Sequence, residues 1–429
     1  MPWVTPKDMK SPVIGDSKIR LSRAALEATP LKEVPAGSVL LVVRGMILAK
    51  RVPIALASRA VTVNQDMKAI VPSALISGRY LALALECAAS GLAPLIDEAG
   101  HGTRRLPTER WGELLVPVPP PEEQAAIVRF LDHADRRIRR YIRAKQKLIK
   151  LLEEQKQAII HQAVTRGLDP SVPMKDSGVE WIDKIPAHWE VRRAKTVCAA
   201  IVDCKNRTPP SVDSGRFVVV RTTCVKSGQF VEVGSYRTSG EAFSTWTARG
   251  APRRGDVFFT REAPAGEACL VPDRDDLCMG QRMMYLRPDP SLLDPDFLLM
   301  SIYGPVCQSY ITLTTNGSTV GHLRLGQVYG LPLLWCPVEE QKEIVGSVHA
   351  QTRSMGLAAE AARREISLLR EFRTRLIADV VTGQLDVRAA AAALSDEVGD
   401  DEPMEEEDDE GEGEDLDVED GPDPEEGDA

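Results

Sequence analysis

Pro120-Pro121-Glu122-Glu123-Gln124 opens a stretch of fifty residues that closes on Val164-Thr165-Arg166-Gly167-Leu168-Asp169, and the chain contains that stretch twice. The second copy opens Pro337-Val338-Glu339-Glu340-Gln341 and closes on Val381-Thr382-Gly383-Gln384-Leu385-Asp386. The offset is 217 residues throughout, and 17 of the 50 positions are identical without a gap. Such a repeat predicts a helix, because one inserted residue would turn everything after it by about 100°. Apolar residues recur at alternating steps of four and three. The first copy has Ile127, Leu131, Ala134, Ile138, Tyr141, Leu148, Leu152 and Ile159; the second has Ile344, Val348, Met355, Ala358, Ala362, Leu369, Phe372 and Leu376. Prolines precede both runs and acids occupy each first turn, where the positive end of the helix dipole favours them. At 1.5 Å per residue, a helix over residues 122–165 would be about 66 Å long. Two such arms are expected to pack antiparallel as a coiled-coil-like rod, related by a pseudo-twofold axis and holding globular regions at its opposite ends. Lys145, Gln155, Gln351 and Glu365 interrupt the seam and predict a bent or locally open rod.

The repeat extends ahead of the arms. Gly37-Ser38-Val39-Leu40-Leu41 matches Gly255-Asp256-Val257-Phe258-Phe259, Gln65-Asp66-Met67 matches Gln281-Arg282-Met283, and Tyr80-Leu81 matches Phe297-Leu298. Short apolar runs at Val39–Val43, Phe217–Val220 and Val257–Thr260, bounded by Gly and Pro, predict strands, with helical stretches near 74–90 and 292–312. The fold class is therefore α+β, two globular regions joined with two long antiparallel helices. The divisions are a first globular region at 1–119, arm one at 120–169, a proline-bearing connector at 170–188, a second globular region at 189–336, arm two at 337–388 and a tail at 389–429. Residues 186–217 have no partner 217 positions earlier, so the first globular region is expected to be shortened at its front.

The formal charge of −10 conceals two populations. Residues 396–429 hold 21 Asp or Glu and no Lys or Arg; without them the charge is +11. A basic body suits a nucleic-acid partner, and the acidic tail is expected to be disordered because it has nothing to bury. No run of about 18 apolar residues predicts a membrane span, and no signal peptide is evident. Eight scattered cysteines with no Cys-x-x-Cys pair fit the cytoplasm.

Catalytic motifs do not emerge. There is no Gly-x-x-x-x-Gly-Lys-Ser/Thr or Gly-x-Gly-x-x-Gly loop, no Asn/Asp-Pro-Pro-Tyr/Phe motif, and no histidine pair at metal-binding spacing. Basic and polar loop residues do recur in matched positions. In the second region these are Arg221, Thr222, Lys226, Arg261, Arg282, then Asn316, Ser318, Thr319, His322 and Arg324. In the first they are Arg44, Lys50, Arg51, Thr103, Arg104 and Arg105. Arg, Lys and Asn read base edges, while Ser, Thr and backbone N–H groups hold phosphates, so these are the candidate DNA-binding residues.

The arm openings Pro-x-Glu-Glu-Gln, the Ile-x-Leu-Leu-x-Glu runs at 149–154 and 366–371, the Val-Thr closures, and Met174-Lys175-Asp176-Ser177-Gly178-Val179-Glu180-Trp181 followed by Ile185-Pro186-Ala187-His188-Trp189-Glu190 resemble one family, the specificity subunits of Type I restriction–modification systems. That resemblance covers nearly all of residues 1–387. It implies two target-recognition domains that bind a bipartite site in double-stranded DNA, and no catalytic centre or cofactor in this chain. It also implies docking of modification subunits, which methylate adenine with S-adenosylmethionine, and of restriction subunits that use ATP and Mg. Glu122, Gln124, Leu151, Leu152, Glu339, Gln341, Leu368 and Leu369 would then face those partners. The acidic tail departs from the pattern. Two other readings are a single-chain DNA-modifying enzyme, which binding of S-adenosylmethionine by the isolated chain would revive, and a helical scaffold that does not read DNA.

Overall fold

The computed structural model describes residues 1–98, 103–179, 181–182, 184–205, 207–262, 264–315 and 321–394. The chain is α+β, with arm one a continuous helix over Pro121–Arg166 and arm two a continuous helix over Val338–Val381. It divides into two compact units. Unit one comprises Met1–Gln146 and Arg363–Ala429, unit two Lys147–Ala362, so each arm contributes a half to both.

In unit one, β1 (Trp3–Val4) pairs in parallel with β5 (Thr62–Val63), and a mixed sheet has the order β2 (Val13–Ile14), β4 (Ile54–Ala57), β3 (Val39–Val42), β6 (Met67–Ile70). Gly37, at φ +84°, turns the chain into β3, a conformation that disfavours any residue with a Cβ. β3 is then buried on both faces, as its unbroken Val-Leu-Leu-Val run requires. Helix α1 (Gly78–Leu92) lies between the sheet and arm one.

Unit two repeats this plan and adds to it. Strand β7 (Glu190–Arg193) pairs antiparallel with β14 (Pro332–Trp335). The main sheet has the order β8 (Cys198–Asp203), β13 (Met283–Pro288), β10 (Val257–Thr260), β11 (Ala268–Leu270). Strands β9 (Phe217–Val220) and β12 (Leu277–Met279) form the parallel pair. The register is conserved between the units: Trp3 opposes Thr62, and Val220 opposes Met279, each residue 217 positions on. Gly255, at φ +88°, repeats the turn of Gly37 ahead of β10. Helices α2 (Pro295–Ile302) and α3 (Pro305–Thr315) complete the core.

The arms are antiparallel in each unit. In unit one, Ile127 and Leu131 from the start of arm one pack with Ile377, Val380 and Val381 from the end of arm two. In unit two, Ile160, Ala163 and Val164 from the end of arm one pack with Ile344 and Val348 from the start of arm two. The seam itself needs correction. Tyr141, Leu148 and Phe372 are 54%, 40% and 55% exposed, and Ala358 is exposed, whereas Thr352, Ala359, Ala362 and Ile366 are buried. Partly buried Ile142 and Ile149 take the inward places of Tyr141 and Leu148. A strict seven-residue spacing through Leu131, Ile138, Lys145 and Leu152 crosses a polar position, and apolarity alone pointed one residue aside. Lys145 meets Glu365 at 2.6 Å within unit one, so that polar step carries an ion pair.

Candidate nucleic-acid interface

The candidate residues gather at one end of the central strands. In unit two, Arg261 follows β10. Its N–H donates to the carbonyl of Arg282 (3.0 Å), and its own carbonyl accepts from Leu323 (2.9 Å). Glu262 and His322 form an antiparallel bridge beside it. The Gly280 N–H donates to the Val220 carbonyl (2.8 Å), which brings Arg221 alongside Gln281 and Arg282. Thr222 opens the short turn that follows. Lys226 is exposed on a hairpin bordering the same end, since Ser227 donates to Glu267 (2.6 Å) and Glu267 accepts from Thr260 (2.9 Å). Arg324 is exposed at the cap of a short helix, its N–H donating to Gln327 (2.7 Å). Asn316, Ser318 and Thr319 lie outside the described residues.

Unit one reproduces the arrangement. The Arg44 N–H donates to the Asp66 carbonyl (3.2 Å), and the Leu106 N–H to the Val43 carbonyl (2.9 Å). Arg44 and Arg105 form an antiparallel bridge, and the Gly45 N–H donates to the Arg104 carbonyl (3.0 Å). Thr103 leads into Arg104. Lys50 and Arg51 are exposed on the turn after β3, both N–H groups donating to the Ile47 carbonyl (3.0 Å).

The two clusters differ electrostatically. In unit two, Arg261 is only 11% exposed and lies 3.3 Å from Asp203, the last residue of β8. Burial raises the Asp203 carboxyl above its ordinary range, against the opposing pull of Arg261. Glu262 holds Arg282 at 3.6 Å and His322 at 3.3 Å. Arg282 also sits at φ +72°, a left-handed conformation that costs a non-glycine residue about 1 kcal/mol. In unit one, the backbone pairing puts exposed Arg44 in the place of Glu262 and Val43 in the place of Arg261. Among the described residues, no carboxylate pairs with Arg44, Arg104 or Arg105. In unit two, Arg261, Arg282 and His322 are thus matched to carboxylates, whereas Arg44, Arg104 and Arg105 are not, although Asp97 and Glu98 lie opposite Arg105 and Arg104 across a two-stranded ribbon.

The glutamines that open the arms have a different place from the one expected. Gln124 and Gln341, assigned above to a partner-facing surface, are 2% and 0% exposed. Gln341 Oε1 accepts from the Asp294 N–H (2.8 Å), and Nε2 donates to the carbonyls of Cys336 (2.7 Å) and Leu292 (3.0 Å). Gln124 does the same with Ser77 (2.9 Å), Pro119 (2.8 Å) and Leu75 (2.8 Å), each 217 positions earlier. Ser77 and Asp294 cap the helices that begin the inner face of each unit, so the glutamine latches arm to globular region. Only the exact recurrence of a neutral residue within an acidic first turn hinted at this. Glu340, missed in the sequence, accepts from Trp189 Nε1 (2.9 Å) and meets His188 Nε2 (2.8 Å), which accounts for the His-Trp pair. Leu151 and Leu368 are 52% and 63% exposed, Glu122 and Glu339 are exposed, and Leu152 and Leu369 are half-buried.

Among the described residues, no group of three or more His, Cys, Asp or Glu could hold a metal ion. The eight cysteines are free thiols, and burial pushes Cys198, Cys269 and Cys278 up to about 12. No described helix is long and apolar enough to cross a membrane.

Residues 1–151 match the family described as Type I restriction modification DNA specificity domain. Over 135 residues the chain is 32% identical to the specificity subunit of the Type I restriction enzyme EcoR124I/EcoR124II of Escherichia coli, covering 32% of this chain and 33% of that protein. The match therefore spans about a third of that relative's length. A solved chain from work on complex assembly and conformational transition of the type I R-M system shares the fold, with a TM-score of 0.54 at 18% identity over 82% of this chain and 84% of that one. The HsdS subunit of Thermoanaerobacter tengcongensis aligns over 82% of both chains at 18% identity and a TM-score of 0.36. The resemblance read from the repeated motifs is borne out.

Proposed function

We propose that this chain is the DNA sequence-recognition subunit of a Type I restriction–modification complex. The observation that carries the reading is the pair of loop clusters, built at equivalent strand ends in two repeated units, one of which matches a DNA specificity family. Double-stranded DNA is the ligand, read as a bipartite target with one half for each unit. The chain is not itself an enzyme. It carries no cofactor, and S-adenosylmethionine, ATP and Mg serve the modification and restriction subunits. The exposed Leu151 and Leu368, at equivalent positions of the two arms, present apolar surface for those partners. A cytoplasmic location follows from this role.

The two clusters divide the work by charge. Arg44, Arg104 and Arg105 grip phosphate, whereas Arg261 and Arg282, oriented by Asp203 and Glu262, are positioned for base edges. Binding of duplex DNA by the purified chain, followed against salt, tests this. Replacing the three unit-one arginines with Ala should reduce the slope of log K against log salt by about one for each phosphate deprived of its arginine, with little change in sequence preference. Removing residues 396–429 should tighten binding at low salt, because their 21 acids compete with phosphate. The absence of any DNA affinity at low salt would overturn the reading.

Arg282→Gly separates folding from reading. Relief of the left-handed backbone should offset the added flexibility, leaving stability within about 1 kcal/mol of the parent. Loss of the guanidinium should cost about 1–3 kcal/mol of base discrimination at one position, measured by binding-site selection. Unchanged discrimination would remove Arg282 from the interface.

A further inference from the structure

We infer that the acidic segment following residue 395 docks within unit one on the outward face of arm one, along Arg136, Arg140 and Arg143, and screens that face from other polyanions. The three arginines recur at steps of four and three, so they share one helix face over about 10 Å. All three are exposed, as is Arg137 beside them, and none of the four side chains has an ion pair or hydrogen bond among the described residues. The opposite face, with Leu131 and Ile138, is buried. Asp132 and Asp135 are the only acids between residues 124 and 152. Both are already engaged, Asp132 with Arg79 and Asp135 with Arg139 and Arg373. The fold does not require this row of charge, because the residues 217 positions on are Arg353, Leu357 and Glu360. Like charges stacked along a helix face oppose the helix slightly until an anion covers them.

The path of the chain delivers the occupant. After arm two the chain turns at Gly383, at φ +76°, and Val387 joins the core that holds Ile127 and Leu131 of arm one. The short helix Arg388–Ala393 follows with Ala391 buried, and the Leu394 carbonyl accepts from the Arg129 guanidinium of arm one (2.6 Å). Arg129 lies two turns before Arg136 on the same helix face, so the acidic segment starts at one end of the basic row. Arg143 is about 21 Å from that point, a span of about seven extended residues. Residues 396–410 hold 11 acids and no Lys or Arg, so acids come within reach of every arginine in the row. A tether this short gives an effective concentration of about millimolar, enough to fill a contact built from several exposed and individually weak ion pairs. The same segment of a second copy lacks that advantage. The contact does not depend on the reading of the strand-end loops as a DNA site, and it gives the acidic segment a place on the arm instead of on those loops.

The test is photo-crosslinking of the full chain with p-benzoylphenylalanine placed at Ala144, which is exposed beside Arg140 and Arg143. At low salt the captured peptides should come chiefly from residues 396–429 of the same chain, with a yield independent of protein concentration. Raising the salt to about 0.5 M should lower the yield at least about five-fold. Arg136→Gln, Arg140→Gln and Arg143→Gln together should lower it by a similar factor with thermal unfolding unchanged, since all three are exposed. Replacing the acids of 396–410 with Asn and Gln makes the same measurement from the other side, whether or not the arginine variant folds. The probe at Ile19, 51% exposed elsewhere in unit one, should capture the segment at least about five-fold less. Equal capture at Ala144 and Ile19, no capture at Ala144, or capture that survives both salt and neutralisation overturns the proposal. So does a yield that rises with protein concentration, which would mean that copies of the chain exchange their acidic segments.

Discussion

Gln341→Ala should lower the stability of unit two by about 3–5 kcal/mol, the largest effect expected of any polar substitution in this chain. The side chain is fully buried, and its two amide N–H donors and its carbonyl oxygen are all engaged with backbone groups of Leu292, Cys336 and Asp294. Alanine leaves those groups buried without partners or admits water into a dry junction, and each outcome costs about 1–3 kcal/mol per group. The cap of α2 is loosened as well, because the Asp294 side chain accepts from Phe297 (3.1 Å) only while its own backbone is held. Urea unfolding followed by the fluorescence of a variant that keeps Trp189 as its one tryptophan reads the change, since Trp189 is 0% exposed beside Glu340. Gln124→Ala should do the same to unit one, and the two losses should add, since they share no partner. A loss below about 1 kcal/mol would mean that the glutamine bonds do not stabilise the junction.

Arg373→Ala should cost unit one about 2–4 kcal/mol, the lower end reflecting partial solvent access to one partner. Arg373, 21% exposed, pairs with Asp135 from arm one and Glu86 from α1, which are 15% and 35% exposed. It thus ties together the two arms and the globular region at a position where the seam would otherwise be apolar. Burial favours the neutral form of Asp135, but Arg373 and then Arg139 outweigh it and hold the carboxyl below its ordinary range. A depressed folded-state value stabilises the fold at pH above the unfolded value of about 4 and loses that stabilisation as pH falls through the folded value. The gap between the parent and Arg373→Ala should therefore stay constant from about pH 5 to 8 and close below about pH 4. Thermal unfolding across that range is the measurement, and a gap that widened on acidification would refute the ion-pair account.

Unit two has two strands that unit one lacks among its described elements, so the two latches sit in surroundings of different completeness. Equal losses from Gln124→Ala and Gln341→Ala would show that the latch works independently of those two strands.

The sequence by itself determined the architecture, and it did so because repetition is visible without coordinates. A gap-free 217-residue offset identified both helices to within a residue or two, and short apolar runs located β3, β9 and β10. The antiparallel packing of the arms followed from the same repeat. The loops that follow these strands were legible as well, since polar and basic residues stand out against a repeat of buried strands. Only the tertiary structure decided which side chains of the arms face inward. Arg373 and Lys145 occupy seam positions because carboxylates from other elements meet them, and the linear pattern contains no trace of those partners. Gln124 and Gln341 look like surface residues in an acidic first turn until the loops that they bond are folded over them. Arg261 and Arg44 match at the 217-residue offset, yet the backbone bonds of Arg261 to Arg282 and Leu323 recur at Val43, and Arg44 takes the place of Glu262. That one-residue shift is set by which strands pair across the sheet, a long-range fact that local sequence does not encode.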